Sequence, residues 1–188
     1  MGRWEPGTKE RLQAAALDLF ERQGFEQTTA AEIAGSVGLT ERTFFRHFAD
    51  KREVLFDGQE LFLATFLEAS AVAPPTETPL EVVATTLRHA SGFFPDERRS
   101  WARRRWAVIA AHPGLQEREQ LKLTGLGEAW ADALRARGVD DPDATLAARL
   151  GVTVFTLAYE QWLTDPAERS LAEIQDTVLG RLRALTAL

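Results

Sequence analysis

Cysteine is absent from this chain, and methionine and tyrosine occur once each. Without cysteine there is no disulfide framework and no thiolate nucleophile or metal ligand, and the composition is compatible with a reducing cytoplasm. Histidine is nearly as scarce: His47, His89 and His112 are scattered, with no H-x-x-x-H or H-E-x-x-H spacing to hold a metal. No G-x-S-x-G, no G-x-x-x-x-G-K-[ST] and no dinucleotide fingerprint occurs, so no catalytic residue, no metal and no cofactor is assigned. A long apolar run is missing too, and the MGRWEPGTKE start has no apolar signal core. That predicts no membrane partner and a cytoplasmic location. Nor is there an excess of positive charge. A net charge of -6 argues against a protein that coats nucleic acid without selectivity.

What is present is helical from end to end. Apolar residues make up 45% of the chain and charged residues 27%, a globular balance. Lys9 to Gln23 is amphipathic and closes on Gly24. Thr29 with Glu32 forms a T-x-x-E capping box, Ile33, Ala34 and Val37 share a face, and Gly38 ends that helix. Thr40 caps the next, with Phe44 and Phe48 inward and Glu41, Arg42, Thr43, Phe45, Arg46 and His47 left outward. Asp50 and Glu53 begin a helix expected to run unbroken from residue 51 to about 73, where Pro74-Pro75 stops it. Further helices start at Thr78-Pro79, at Asp96 and at Asp141-Pro142. Pro113-Gly114 is a break, a long helix ends at Gly138, and Ser170 with Glu173 caps the last. No alternating β-branched run appears, so an all-α fold without a sheet is predicted.

Helix, glycine turn and capped polar helix is the layout of a helix-turn-helix, whose second helix enters the major groove. The residues Ile33-Ala34, Gly38-Leu39-Thr40, Thr43-Phe44-Phe45, His47-Phe48 and Lys51 to Leu55 resemble the N-terminal signature of the tetracycline-repressor (TetR) family of bacterial regulators. The resemblance covers roughly Thr8 to Phe56. It implies a helix-turn-helix DNA-binding domain over residues 1-53 and an effector-binding and dimerisation domain over 54-188. It also implies a homodimer on a palindromic double-stranded DNA operator, a small-molecule effector, and repression as the family default. The family usually has Tyr where this chain has Phe45, so the hydroxyl that typically reaches a phosphate is missing here.

Residue by residue, Thr29, Thr40, His47 and Lys51 are expected on the phosphate backbone. Arg42 and Thr43 are expected at base edges, with Glu41 and Arg46 as further candidates and Phe45 at the same surface. Arg3, ahead of the first helix, is a candidate for a narrow minor groove. For the dimer interface the candidates are Leu150, Val154, Leu157, Ile174, Val178 and Leu182, which line apolar faces on the last two helices. Intrachain core is the simpler reading of the same faces, and some of these residues must be core; the dimer face is the expectation. Phe62, Phe66, Trp101, Trp106, Trp130, Phe155 and Tyr159 are candidates to wall a ligand pocket for an apolar or amphiphilic effector. Singly, each aromatic is an ordinary core residue. The run Arg98, Arg99, Arg103, Arg104, Arg105 reads as a solvated face, with one inward arginine holding an anionic ligand group as the alternative. An effector touching Phe62 or Phe66 would tilt the continuous helix and change the spacing of two recognition helices. Two other readings stay open: an all-α enzyme or carrier with an incidental helix-turn-helix, and a DNA-binding dimer with no effector.

Overall fold

The computed structural model describes residues 7–186, so the expected arm at Arg3 lies outside the described residues. Among those residues the secondary structure is helical, with no strand. The order is α1 (Thr8–Gln23), α2 (Ala30–Ser36), α3 (Glu41–His47), α4 (Glu53–Phe56), α5 (Gln59–Val72), α6 (Pro79–Ala90), two 3-10 turns at Ser91–Phe93 and Asp96–Arg98, α7 (Arg99–Ala110), α8 (Pro113–Ala136), α9 (Asp143–Thr164) and α10 (Leu171–Thr186).

The chain forms two compact units, and they do not follow a single cut at residue 53. One unit runs to Gly58 and takes in Arg103–Glu117; the other holds Gln59–Ala102 and Arg118–Leu188. Val54, Leu55 and Phe56, assigned from sequence to the body, are buried in the first unit instead. Arg104 of α7 pairs there with Asp18 and Glu21 of α1. Arg105 Nε donates to the Leu55 carbonyl at 2.6 Å, with its guanidinium 5.2 Å from the Phe56 ring. Two arginines of the expected solvated run thus belong to the packing of the first unit.

The helix expected to be continuous from 51 to 73 is broken. Asp57 leaves the helix with extended backbone, and Gly58 follows at φ +83, a conformation that costs a side-chain-bearing residue far more than glycine. Asp57 is held in that position by Lys9 and by Gln13 Nε2 of α1, so the break is tied down by the first helix. α4 therefore belongs to the first unit and α5 to the second. α7 ends at Ala110, ahead of the expected break at Pro113-Gly114, and Pro113 takes the first position of α8, where its missing N–H costs nothing.

In the second unit the core lies among α5, α6, α8, α9 and α10, with Trp130, Trp162, Phe66 and Leu134 fully buried. Thr78 and Glu81 cap α6 reciprocally, and Ser170 and Glu173 do the same for α10. At Gly151 of α9 a side chain is excluded by space: a Cβ there would lie 2.5 Å from the Trp130 ring and 3.1 Å from Val83.

Candidate nucleic-acid interface and aromatic core

α2 and α3 are seven residues each, too short to persist without help from their ends. Thr29 Oγ1 accepts the Glu32 backbone N–H at 3.1 Å, while the Glu32 carboxylate accepts the Thr29 backbone N–H at 2.8 Å. The bonds that the carboxylate accepts, from the Thr29 backbone N–H foremost and from the Thr29 hydroxyl at 2.9 Å, hold the Glu32 carboxyl below the ordinary carboxylate range. At the other end Gly38 sits at φ +72, with its N–H donated to the Gly35 carbonyl and the Leu39 N–H to the Ala34 carbonyl. That pair is a Schellman close. Thr40 Oγ1 then accepts the Thr43 N–H and starts α3.

α3 turns Phe44 into the core, where its ring lies 5.2 Å from Phe48. Glu41, Arg42, Phe45 and Arg46 are exposed, with Phe45 at 50%, and Thr43 and His47 are half-buried. The Phe45 ring stands edge-on to Phe44 at 5.5 Å, leaving its outer half to solvent. Thr29 and Thr40 stand at the two helix starts, where N–H groups point outward. Lys51 departs from expectation. Its Nζ donates to the carbonyls of Phe25 (2.7 Å) and Glu26 (3.3 Å) and lies 4.2 Å from the Phe25 ring. Two of its three N–H groups therefore tie the α1–α2 turn to the start of α4. Next to it, burial of Asp50 works to raise its carboxyl pKa. Hydrogen bonds from the Arg52 side chain and from the backbone N–H groups of Glu53 and Arg52 outweigh that, and the net shift is downward.

The second unit gathers five of the seven pocket candidates into one network of rings. Phe62 lies 4.8 Å from Phe66 and 5.2 Å from Phe155; Phe66 lies 5.0 Å from Trp130; Phe155 stacks on Tyr159 at 5.7 Å. Phe93, Phe94 and Trp162 join them. Trp101 and Trp106 are corrections. Trp106 is 37% exposed and belongs to the first unit, and Trp101 makes no ring contact among the described residues. Aromatic enrichment beyond the first helices grouped them with the others, but α7 is divided between the two units. Trp130 Nε1 is buried with no acceptor.

The dimer candidates divide as well. Val154, Ile174 and Val178 are buried in the core of their own chain, where α9 and α10 pack together. A side chain already removed from water inside one chain has no area to give a second, so these three are intrachain core. Leu157 is 46% exposed, Leu150 and Leu182 are half-buried, and Leu146, one α9 turn before Leu150, is exposed.

Residues 12–57 match the bacterial regulatory proteins of the tetR family, and residues 77–187, more than half the chain, match the MftR C-terminal domain. The chain belongs to the TetR family. It is a helix-turn-helix regulator of transcription. It is 41% identical over 89 residues to the HTH-type transcriptional regulator TcmR of Streptomyces glaucescens, a match that spans 47% of this chain and 39% of TcmR. It is 27% identical over 170 residues to the protein of Mycobacterium tuberculosis named as a mycofactocin biosynthesis transcriptional regulator, MftR, covering 88% of this chain and 84% of that one. Among solved structures it resembles Thermus thermophilus FadR, a TetR-family repressor in complex with lauroyl-CoA, at 26% identity and a TM-score of 0.56 over 96% of this chain and 95% of that one. No helix among the described residues is long and apolar enough to cross a membrane.

Proposed function

We propose that this protein is a cytoplasmic repressor without catalytic activity that binds a palindromic DNA operator as a homodimer and is released by a small apolar or amphiphilic effector. The observation that carries the reading is the α2–turn–α3 surface. Both helices are capped at their starts, and α3 presents Glu41, Arg42, Phe45 and Arg46 to solvent. In this reading Arg42, with Thr43, Glu41 and Arg46 around it, reads base edges, while Thr29, Thr40, His47 and the remaining N–H of Lys51 meet phosphates. Two reading heads a helical turn apart require a two-fold dimer. Leu146, Leu150 and Leu157 on the outer face of α9, with Leu182 of α10, supply its apolar contact. The ring network of the second unit supports an effector there, and the lauroyl-CoA held by Thermus thermophilus FadR supports an amphiphilic one. The effector works by binding the DNA-competent and DNA-incompetent states unequally.

The test is capture and sequencing of sheared genomic DNA from the source organism, followed by gel shifts on the recovered sequence. Enrichment of one inverted repeat, bound with a two-fold stoichiometry, is the expected result. Recovery of no common sequence would sink the reading.

A further inference from the structure

Arg99, in the run that reads from sequence as a solvated face, is only 6% exposed. Its Cζ lies 5.0 Å from the Trp162 ring. Nη2 donates to Asp96 Oδ1 at 2.7 Å and to the carbonyls of Glu168 and Arg169 at 3.2 and 2.6 Å. Nε and Nη1, which carry three of the five guanidinium N–H groups, are buried and have no acceptor. The charges nearby pair off. Asp165 holds Arg169 at 2.9 Å, and Glu173 accepts from Ser170. Arg99 is left with one carboxylate oxygen that it shares with Trp162 Nε1, which lies 3.2 Å from it, on an Asp96 whose side chain is 56% exposed. A buried cation with orphaned donors is costly, and native proteins retain such groups where something else supplies the acceptor.

The ring beside this cation, Trp162, has as one of its neighbours the ring least held by regular structure. Phe94 sits between the two 3-10 turns, outside any α-helix, and is half-buried. It nevertheless lies 5.1 Å from Tyr159, 5.4 Å from Phe62, 5.8 Å from Phe155 and 6.2 Å from Trp162. An irregular segment thus supplies one ring of an aromatic cluster that reaches Trp162, the ring on which Arg99 lies.

We propose that the second unit binds an aromatic monocarboxylate, whose ring takes the place of Phe94 against Phe155 and Tyr159 and whose carboxylate accepts from the free N–H groups of Arg99. This rests on the reading that the unit holds a small-molecule effector. A carboxylate is the acceptor of choice because charge-assisted bonds to guanidinium are shorter and stronger than those to a neutral oxygen. Displacing Phe94 also gives the ligand a means to report its presence, since the segment from Ser91 to Arg98 leads directly into α7.

Equilibrium dialysis of the full chain at pH 7 against 2-naphthoate, its methyl ester and 2-methylnaphthalene tests this. The acid should bind about tenfold more tightly than the ester, and the ester no more weakly than the hydrocarbon. Arg99→Gln should erase the preference for the acid, and Phe94→Ala should tighten binding of all three. The comparison of acid with ester needs no variant, so a misfolded Arg99→Gln does not blunt it. Equal binding of acid and ester by the unaltered protein would overturn the role of Arg99 while leaving an apolar effector site in place. If neither the unaltered chain nor Phe94→Ala bound any of the three, the effector reading itself would fall.

Discussion

The two units of this protein are stabilised by different means. The first holds its functional surface on two seven-residue helices whose ends are closed by Thr29, Glu32, Gly38 and Thr40, with Phe44 and Phe48 as anchors beneath. The second uses helices of twelve to twenty-four residues around a continuous network of rings. In the first, local hydrogen bonds decide whether the elements exist, because a seven-residue helix cannot repay its own nucleation. In the second, long-range packing decides, and caps only trim the ends. The division suits the work: a surface that must leave Arg42, Phe45 and Arg46 exposed cannot also use them for packing, whereas a ligand site needs apolar walls.

The largest expected effect follows from the packed side of that contrast. Trp130 is fully buried against Phe66 and leaves no room for a side chain at Gly151. Trp130→Ala should cost about 3–5 kcal/mol in urea unfolding followed by circular dichroism. A loss below about 1 kcal/mol would mean the ring network is loosely packed and the contrast overstated.

The α9–α10 face separates core from surface next. Val178→Asp buries an unpaired charge and should destabilise the fold by roughly 3 kcal/mol or more, lowering the melting temperature. Leu157→Asp, on the outer face of α9, should change monomer stability by about 0.5 kcal/mol or less. Sedimentation should nonetheless show it as a monomer at concentrations where the unaltered chain is dimeric. Intact dimers of Leu157→Asp would remove α9 from the interface.

On the first unit the effects should be smaller and fall on recognition. Arg42→Ala should cost about 1–3 kcal/mol of discrimination at one or two base pairs and leave binding to random DNA nearly unchanged, read by competition gel shifts. Equal loss on operator and random sequence would make Arg42 a phosphate contact. Thr40→Ala should cost about 1 kcal/mol of stability through the lost cap and Thr40→Asn much less, which thermal melts can resolve.

The same contrast explains what could be read from the sequence. The caps, the glycine turn, the inward Phe44 and Phe48 and the outward Arg42 and Arg46 were legible because each depends on residues three or four apart. So was the start of α10 at Ser170-Glu173. The gathering of Phe62, Phe66, Trp130, Phe155 and Tyr159 was only suspected, since composition shows that rings are plentiful and not which of them meet. Trp106 was misplaced, and the ties of Lys51 within its own unit went unread, for one reason. Their partners come from distant segments: α7 divides between two units, and Lys51 reaches back to the carbonyls at Phe25 and Glu26. Val154, Ile174 and Val178 show the limit of an apolar stripe, which reports that a face is buried and not whether its own chain or another covers it. The break at Asp57-Gly58 was hidden because Asp-Gly is tolerated near helix ends, and what enforces the break is Lys9 and Gln13 on α1.

The smallest effect tests the caps by pH. Glu32, Glu81 and Glu173 each have a lowered carboxyl pKa, through hydrogen bonds from Thr29, Thr78 and Ser170 respectively. A carboxyl whose folded pKa lies below its unfolded value stabilises the fold above the unfolded value of 4.5, and that contribution is lost as pH falls through the folded value. All three are surface groups, so each effect is modest, but their consequences should differ. Glu173 caps a sixteen-residue helix that is also held by Leu171, Ile174 and Val178, whereas Glu32 caps a helix of only seven residues, anchored by Ala30, Ile33 and Ala34. Glu32→Gln should therefore flatten the acid side of the DNA-binding profile as well as that of stability, and Glu173→Gln should flatten only stability. The readout is operator affinity and urea midpoint measured from pH 7 down through the carboxylate range. If the two variants shifted operator affinity alike, the caps would matter equally in both units, and the contrast between a capped head and a packed body would fail.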